Sequence, residues 1–178
     1  MIASTEPPCT VRRARIEEIP AAVDLLEEVV AEGRWLGLEA PFDREERLAH
    51  MTEALVKRDE EVFVAVGADD VVGQVWVSVR PYGVADLGML VAPGWRNRGV
   101  GGALLDAAVA WAKDAGAHKV SLQLWPHNRA AAALYRKRGF VDEGLLRRHY
   151  RRKNGELWDA VMMGLVLDHS SPGSSADG

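Results

Sequence analysis

Two arginines and three glycines fall within seven residues in the stretch Val91-Ala92-Pro93-Gly94-Trp95-Arg96-Asn97-Arg98-Gly99-Val100-Gly101-Gly102. An apolar run at 87–91 precedes it, and a run at 103–115 with helical spacing of apolar residues follows it. A helix N-terminus carries N–H groups with no intrahelical acceptor and roughly half a positive charge. Glycine lets those N–H groups approach a ligand with no Cβ in the way. Arginines beside them add mobile positive charge. Together these features form a cradle for a diphosphate. The stretch lacks the Gly-Lys-Ser/Thr ending of a triphosphate loop and the strand-proximal Gly-x-Gly-x-x-Gly spacing of a dinucleotide fold. Taken alone, it also reads as a glycine-rich helix start without a ligand.

A second stretch supplies an independent signal: Asn128-Arg129-Ala130-Ala131-Ala132-Ala133-Leu134-Tyr135-Arg136-Lys137-Arg138-Gly139-Phe140. It resembles the Asn-x-x-Ala-x-x-x-Tyr-x-x-x-Gly-Phe signature of the GNAT superfamily of N-acetyltransferases. Arg96-x-x-Gly99-x-Gly101 resembles that superfamily's Gln/Arg-x-x-Gly-x-Gly/Ala acyl-CoA pyrophosphate loop. The two motifs stand in the superfamily's order, one strand apart. The resemblance spans residues 10–167 and is most specific over 85–140.

What the resemblance implies is an α/β fold with a mixed, mostly antiparallel seven-stranded sheet, splayed between its fourth and fifth strands, and four helices. Acetyl-CoA, as co-substrate and without a metal, is expected in the splay. The backbone at Met89, Leu90 and Val91 would pair with its pantetheine arm. Arg96, Asn97, Arg98, Gly99, Val100, Gly101 and Gly102 would hold its pyrophosphate. Asn128 would touch the arm, and Tyr135 would sit by the thioester sulfur. A homodimer is common among proteins with this resemblance, but no interface is legible in the sequence.

N-acetylation sets its own chemical requirements. An alkyl ammonium with a pKa near 10.4 must lose its proton, which costs roughly 4 to 5 kcal/mol at pH 7. The tetrahedral intermediate needs an N–H donor, expected from a strand edge at Leu90 or Val91. The departing thiolate needs a proton, and Tyr135 is the expected donor. Asp86, on the strand entering the loop, is the expected base. Glu39 and His127 are weaker alternatives. Trp35, Phe42, Trp76 and Tyr82 are expected to line the acceptor pocket. The acceptor would be a primary amine: a small molecule, an amino acid or an antibiotic. A protein N-terminus or lysine, and a non-catalytic acyl-CoA sensor, are the alternative readings.

Patterning places these residues on a chain of β-α-α-β-β-β-α-β-α-β-β order. Strands are expected at 10–16, 61–66, 71–79, 84–91, 119–125, 140–152 and 156–167, the last two joined by an Asn154-Gly155 hairpin turn. Helices are expected at 17–32, 43–58, 103–115 and 128–139. Asp43 suits a helix N-cap, with Glu46 completing a capping box. The loop at 33–42 is rich in large apolar side chains, so it either lies over a pocket as a lid or plugs the core. Residues 1–9 and 169–178 are expected to be flexible, leaving one domain at 10–168.

The chain of 178 residues, 48% hydrophobic and 27% charged, suits one globular domain. A net charge of −4 argues against a general nucleic-acid binder. The basic run at 147–153 therefore reads as a solvated hairpin. Cys9 is the single cysteine, so no intrachain disulfide can form and a cytoplasmic location is expected. No secretory signal, membrane span or metal-ligand spacing is legible.

Overall fold

Alternation along the central strands gives the sheet two apolar faces, and helices cover both. The computed structural model describes residues 9–167. The expected flexible lead-in, apart from Cys9, and the expected tail therefore lie outside the described residues. One sheet contains β1 (Thr10–Arg13), β2 (Glu60–Gly67), β3 (Asp70–Val79), β4 (Val84–Val91), β5 (Lys119–Leu124), β6 (Val141–Arg151) and β7 (Leu157–Val166). Their spatial order is β1-β2-β3-β4-β5-β7-β6. All neighbours are antiparallel except β4 and β5, which are parallel. The helices are α1 (Ile19–Ala31), α2 (Arg44–Ala54), α3 (Val100–Asp114) and α4 (Arg129–Lys137). This is the mixed α/β sheet that the resemblance implied.

The strand β2 turns Phe63 and Ala65 to one face and Val62 and Val64 to the other, and all four are buried. The first face packs with Val75 and Val77 of β3 and with Leu104, Leu105 and Ala108 of α3. Tyr135 of α4 and Phe140 belong to the same core. The second face packs on Ile19 and Val23 of α1 and on Met51 and Ala54 of α2. A strand covered on both sides reads as a near-continuous apolar run, as Val62-Phe63-Val64-Ala65-Val66 does.

Helix ends follow their local chemistry. Pro20 lies in the first turn of α1, where its missing N–H costs nothing. Asp43 caps α2 by accepting from Glu46 N at 2.9 Å. That helix ends at Ala54, short of the expected boundary, because Leu55 N and Val56 N turn back to Thr52 O and Glu53 O. The helix α4 closes with Phe140 N on Tyr135 O at 3.1 Å and Gly139 N on Arg136 O at 3.0 Å, with Gly139 at φ 89. These bonds form a Schellman ending, which needs the left-handed residue that glycine supplies. In the loop that joins β6 to β7, of Asn154 and Gly155 only Gly155 takes positive φ, and Arg152 N bonds Glu156 O across three residues. That loop is one residue longer than a paired Asn-Gly turn.

The feature that matters for the site is where β4 leaves β5. The two pair only at Val84↔Lys119, Ala85↔Val120 and Asp86↔Ser121. From Leu87 onward β4 keeps β3 but has no partner on its other edge, while β5 stays on β7 as far as Leu124↔Val161. A wedge opens between them. No helix among the described residues is long and apolar enough to cross a membrane.

Leu104 is fully buried between α3 and the sheet. Leu104→Ala is expected to lower unfolding stability by about 3 kcal/mol, measured by urea denaturation.

Candidate active site

The wedge exposes one edge of β4, and register says which residues own it. Arg80 N donates to Val84 O and Ala92 N donates to Val72 O. The β3–β4 register runs unbroken between those bonds. Backbone groups of the even-numbered β4 residues therefore face β3, and those of Leu87, Met89 and Val91 face the wedge. Leu90 is thus excluded as the expected oxyanion donor, since its N–H belongs to the β3 ladder. Val91 O is occupied by Arg96 Nε at 3.1 Å, which leaves Met89 with both backbone groups free on that edge.

A cleft of about 450 Å³ continues the wedge toward α3. Its floor is Met89, Leu90 and Val91, and one wall is Asn128, Ala130, Ala131 and Leu134 of the α4 end. Asn97, Gly99, Gly101 and Gly102 close it at the N-terminus of α3. Gly99 holds φ 85 at the helix N-cap, and no side chain caps this helix. The first helical bond runs from Ala103 N to Gly99 O at 3.1 Å. The N–H groups of Val100, Gly101 and Gly102 have no such acceptor, which is the electrostatics of an anion site. A Cβ on Gly101 would stand 3.3 Å from Leu134 Cδ2 and 3.6 Å from Met89 Cε, so glycine keeps the cleft open there. The Val100 side chain is buried in the core, and Val100 is not among the residues lining the cleft.

The two arginines differ, and only Arg96 departs from the expected mobile charge. Arg96 pairs with Glu32 at the end of α1 through both Nη atoms, so its charge is not mobile. The hydrogen bond from Arg96 holds the Glu32 carboxyl below the usual carboxylate range, and the same bond raises the Arg96 guanidinium. Arg98 is exposed, stacks 4.9 Å from the Trp95 ring centroid, and makes no ion pair with a described residue. Asn128 spends its Oδ1 on the N-cap bond from Ala131 N at 3.2 Å while lining the cleft.

Tyr135 is buried, with its ring 5.6 Å from that of Phe140. Burial pushes its phenol up to about 12. Its hydroxyl makes no hydrogen bond to a described residue. Asp86 is engaged by Arg80 Nε at 2.7 Å, which occupies the carboxylate expected to act as base. Glu39 accepts from Lys153 N at 3.0 Å and lies 3.4 Å from Arg152 Nε, so it fastens a loop instead of facing the wedge.

A second cavity, of about 410 Å³, lies on the other face of β4. Leu36 and Leu90 line both spaces, so the two meet there. Trp76 and Gly88 form its floor, and Arg47 and His50 of α2 form a wall. Of the four expected acceptor residues, Trp76 alone lines this cavity. Trp35 lines the first cleft instead, held by Nε1 on Glu32 at 2.7 Å. Phe42 packs against α1 as core. Tyr82 is 69% exposed in a turn away from both spaces.

The loop at 33–42 is both lid and plug. Leu36 and Leu38 roof the second cavity while packing with Leu26 and Leu90. Arg152 fastens it by donating to Leu36 O at 3.2 Å and Gly37 O at 3.1 Å. The basic hairpin is therefore not wholly solvated: Arg152 is 5% exposed, with Trp158 and Trp125 beside its guanidinium. His127 Nε2 meets Arg34 O at 2.7 Å and pins the same loop.

The family model of the Acetyltransferase (GNAT) family matches residues 24–140, which takes in the wedge, the glycine loop and α4. The chain belongs to the GNAT acetyltransferase family. It is an acyltransferase by that membership and by its relatives. An L-amino acid N-acetyltransferase of Escherichia coli is 34% identical over 58% of this GNAT chain and 67% of its own length. An aminoglycoside N(6')-acetyltransferase of Stenotrophomonas maltophilia is 33% identical over 56% and 72%. Among solved structures, a Salmonella typhimurium acetyltransferase holding its cofactor acetyl-CoA shares the GNAT fold. Its TM-score is 0.81 at 23% identity, over 93% of this chain and 98% of that one.

The Arg96–Glu32 pair predicts a pH dependence. The folded-state pKa of Glu32 is depressed, so its stabilisation is present above the unfolded value, near 4.3, and is lost as pH falls through the folded one. Glu32→Gln should unfold at lower urea than wild type at pH 7, and the gap should close as pH drops below about 4. Paired urea titrations across pH 3 to 7 measure it.

Proposed function

We propose that this chain transfers an acetyl group from acetyl-CoA to the primary amine of a small molecule by direct attack in a ternary complex. The observation that carries the reading is the pair of cavities on opposite faces of β4, meeting at Leu36 and Leu90 beside the unpaired edge of Met89. The first suits the carrier: a strand edge for the pantetheine amides and unsatisfied helix N–H groups for the diphosphate. The second has the size of a small-molecule site. Named relatives acting on an amino acid and on an aminoglycoside support a small acceptor.

In this reading the amine nitrogen bonds to the thioester carbon and the C–S bond breaks. The nitrogen sheds one proton and the CoA sulfur ends as a thiol. Tyr135 acts at the sulfur. With its phenol near 12 against a reference thiol near 8.5, outright proton transfer to a free thiolate would be uphill by about 5 kcal/mol. Tyr135 therefore keeps its proton and donates a hydrogen bond to sulfur as charge builds there, and the proton that the nitrogen sheds reaches the sulfur through water, leaving the phenol unchanged over the turnover. Asp86, tied to Arg80, serves the site as half of an ion pair, and water in the wedge carries the ammonium proton away.

Thiol release from acetyl-CoA, followed across a panel of small amines, tests this account. Tyr135→Phe is expected to lower kcat about 100-fold or more while CoA affinity changes less than about twofold. Unchanged turnover would remove Tyr135 from the reaction. No thiol release with any amine would overturn the transferase reading.

A further inference from the structure

The second cavity is unusual in what it leaves unpaired. Five buried side-chain polar atoms among the described residues have no hydrogen-bond partner, and four belong to residues lining this one space: Arg47 Nε, Trp76 Nε1, Gln74 Oε1 and Glu60 Oε2. Two are donors and two are acceptors. Buried polar groups are normally satisfied, so a cluster of orphans around one cavity describes the ligand that belongs in it.

We infer that the acceptor is an amine carrying a carboxylate, as an α-amino acid does, and that Arg47 reads the carboxylate. This rests on the transferase reading above. The charges decide between zwitterion and polycation. Arg80 is taken by Asp86, and Glu60 shares its other oxygen with Lys57 at 3.2 Å. Arg44, one turn before Arg47 on α2, is held by Asp24 and Glu27. Arg47 makes no ion pair with any described residue, so the cavity's unbalanced charge is positive. A carboxylate accepts from Arg47 and from the Trp76 indole N–H together. A polycationic amine would meet Arg47 as a like charge.

The amine end is fixed independently. Gln74 Nε2 donates to Ala22 O at 3.1 Å, which orients the amide and leaves Oε1 as its free end. Gln74 stands in register with Leu90, which with Leu36 lines both cavities. An ammonium donating to Gln74 Oε1 is thereby held at the junction with the carrier cleft. Glu60, in register with Ser78 at the opposite end of the floor, is left for a donor on the acceptor's side chain.

Initial rates of thiol release test this, using L-amino acids, their decarboxylated amines, spermidine and an aminoglycoside. Amino acids should exceed the matching decarboxylated amines at least about 100-fold in kcat/KM. Arg47→Gln should raise KM for the amino acid at least about tenfold, with kcat and the KM for acetyl-CoA little changed. It should leave the decarboxylated amines unaffected, and Arg47→Lys should recover part of the loss. Equal rates for carboxylate-bearing and carboxylate-free amines, or an Arg47→Gln enzyme with unaltered preference, would overturn the inference and leave the transferase intact. Absence of thiol release with every amine would fell both.

Discussion

Everything in this molecule turns on the parting of β4 from β5 after Asp86 and Ser121. A parallel pair that continued would bury the N–H and C=O groups of Leu87, Met89 and Val91 in a ladder, and no opening would exist. Because β5 keeps β7 and β4 keeps β3, the separation leaves two short facing edges without a strand partner, Leu87–Val91 of β4 and Leu122–Leu124 of β5. The β4 edge lines the cleft, where an extended ligand could bond as a strand would. The glycine-rich start of α3 lies at the end of the same edge. In the proposed reading, the strand edge would take the pantetheine arm and the helix terminus the diphosphate joined to it.

The rest of the fold holds this opening in shape. Both faces of β2 pack against helices, α3 on one side and α1 with α2 on the other. The arginines do structural work here that their sequence context hides. Arg96 clamps the loop before α3 to the end of α1 through Glu32. Arg152 holds the apolar loop over the junction of the cavities. In each case a charge is fixed by hydrogen bonds to groups far away in the chain, which leaves the anion cradle to depend on backbone N–H groups with Arg98 nearby and exposed.

The order of elements was legible because apolar spacing changes from period two to period 3.6 at each boundary, with Asp43, Asn128 and Gly139 marking ends by local chemistry. Both motifs were legible for the same reason: an exposed helix terminus and a Schellman ending are local properties. What stayed hidden was long-range. Nothing near Arg96 in the sequence points to Glu32, and nothing near Arg152 points to Leu36 and Gly37. Nothing local in the sequence singles out Arg47 or Glu60. Only the register of β2, β3 and β4, and the packing of α2 across them, brings these two to one cavity. Aromatic type misled at Tyr82 and Phe42, since an exposed turn and a core position use the same residues as a binding pocket.

The central claim is that the unsatisfied N–H groups opening α3 hold a diphosphate. Calorimetric titration with CoA, with 4′-phosphopantetheine, which lacks the adenosine, and with pantetheine, which lacks adenosine and phosphates alike, separates that contribution from the adenosine and from the strand-edge bonds. Charge-assisted bonds to two or three N–H groups should make CoA bind at least about 100-fold tighter than pantetheine, with 4′-phosphopantetheine between them and the advantage shrinking as salt rises. Equal affinities for 4′-phosphopantetheine and pantetheine, or no saturable heat with CoA, would contradict the account.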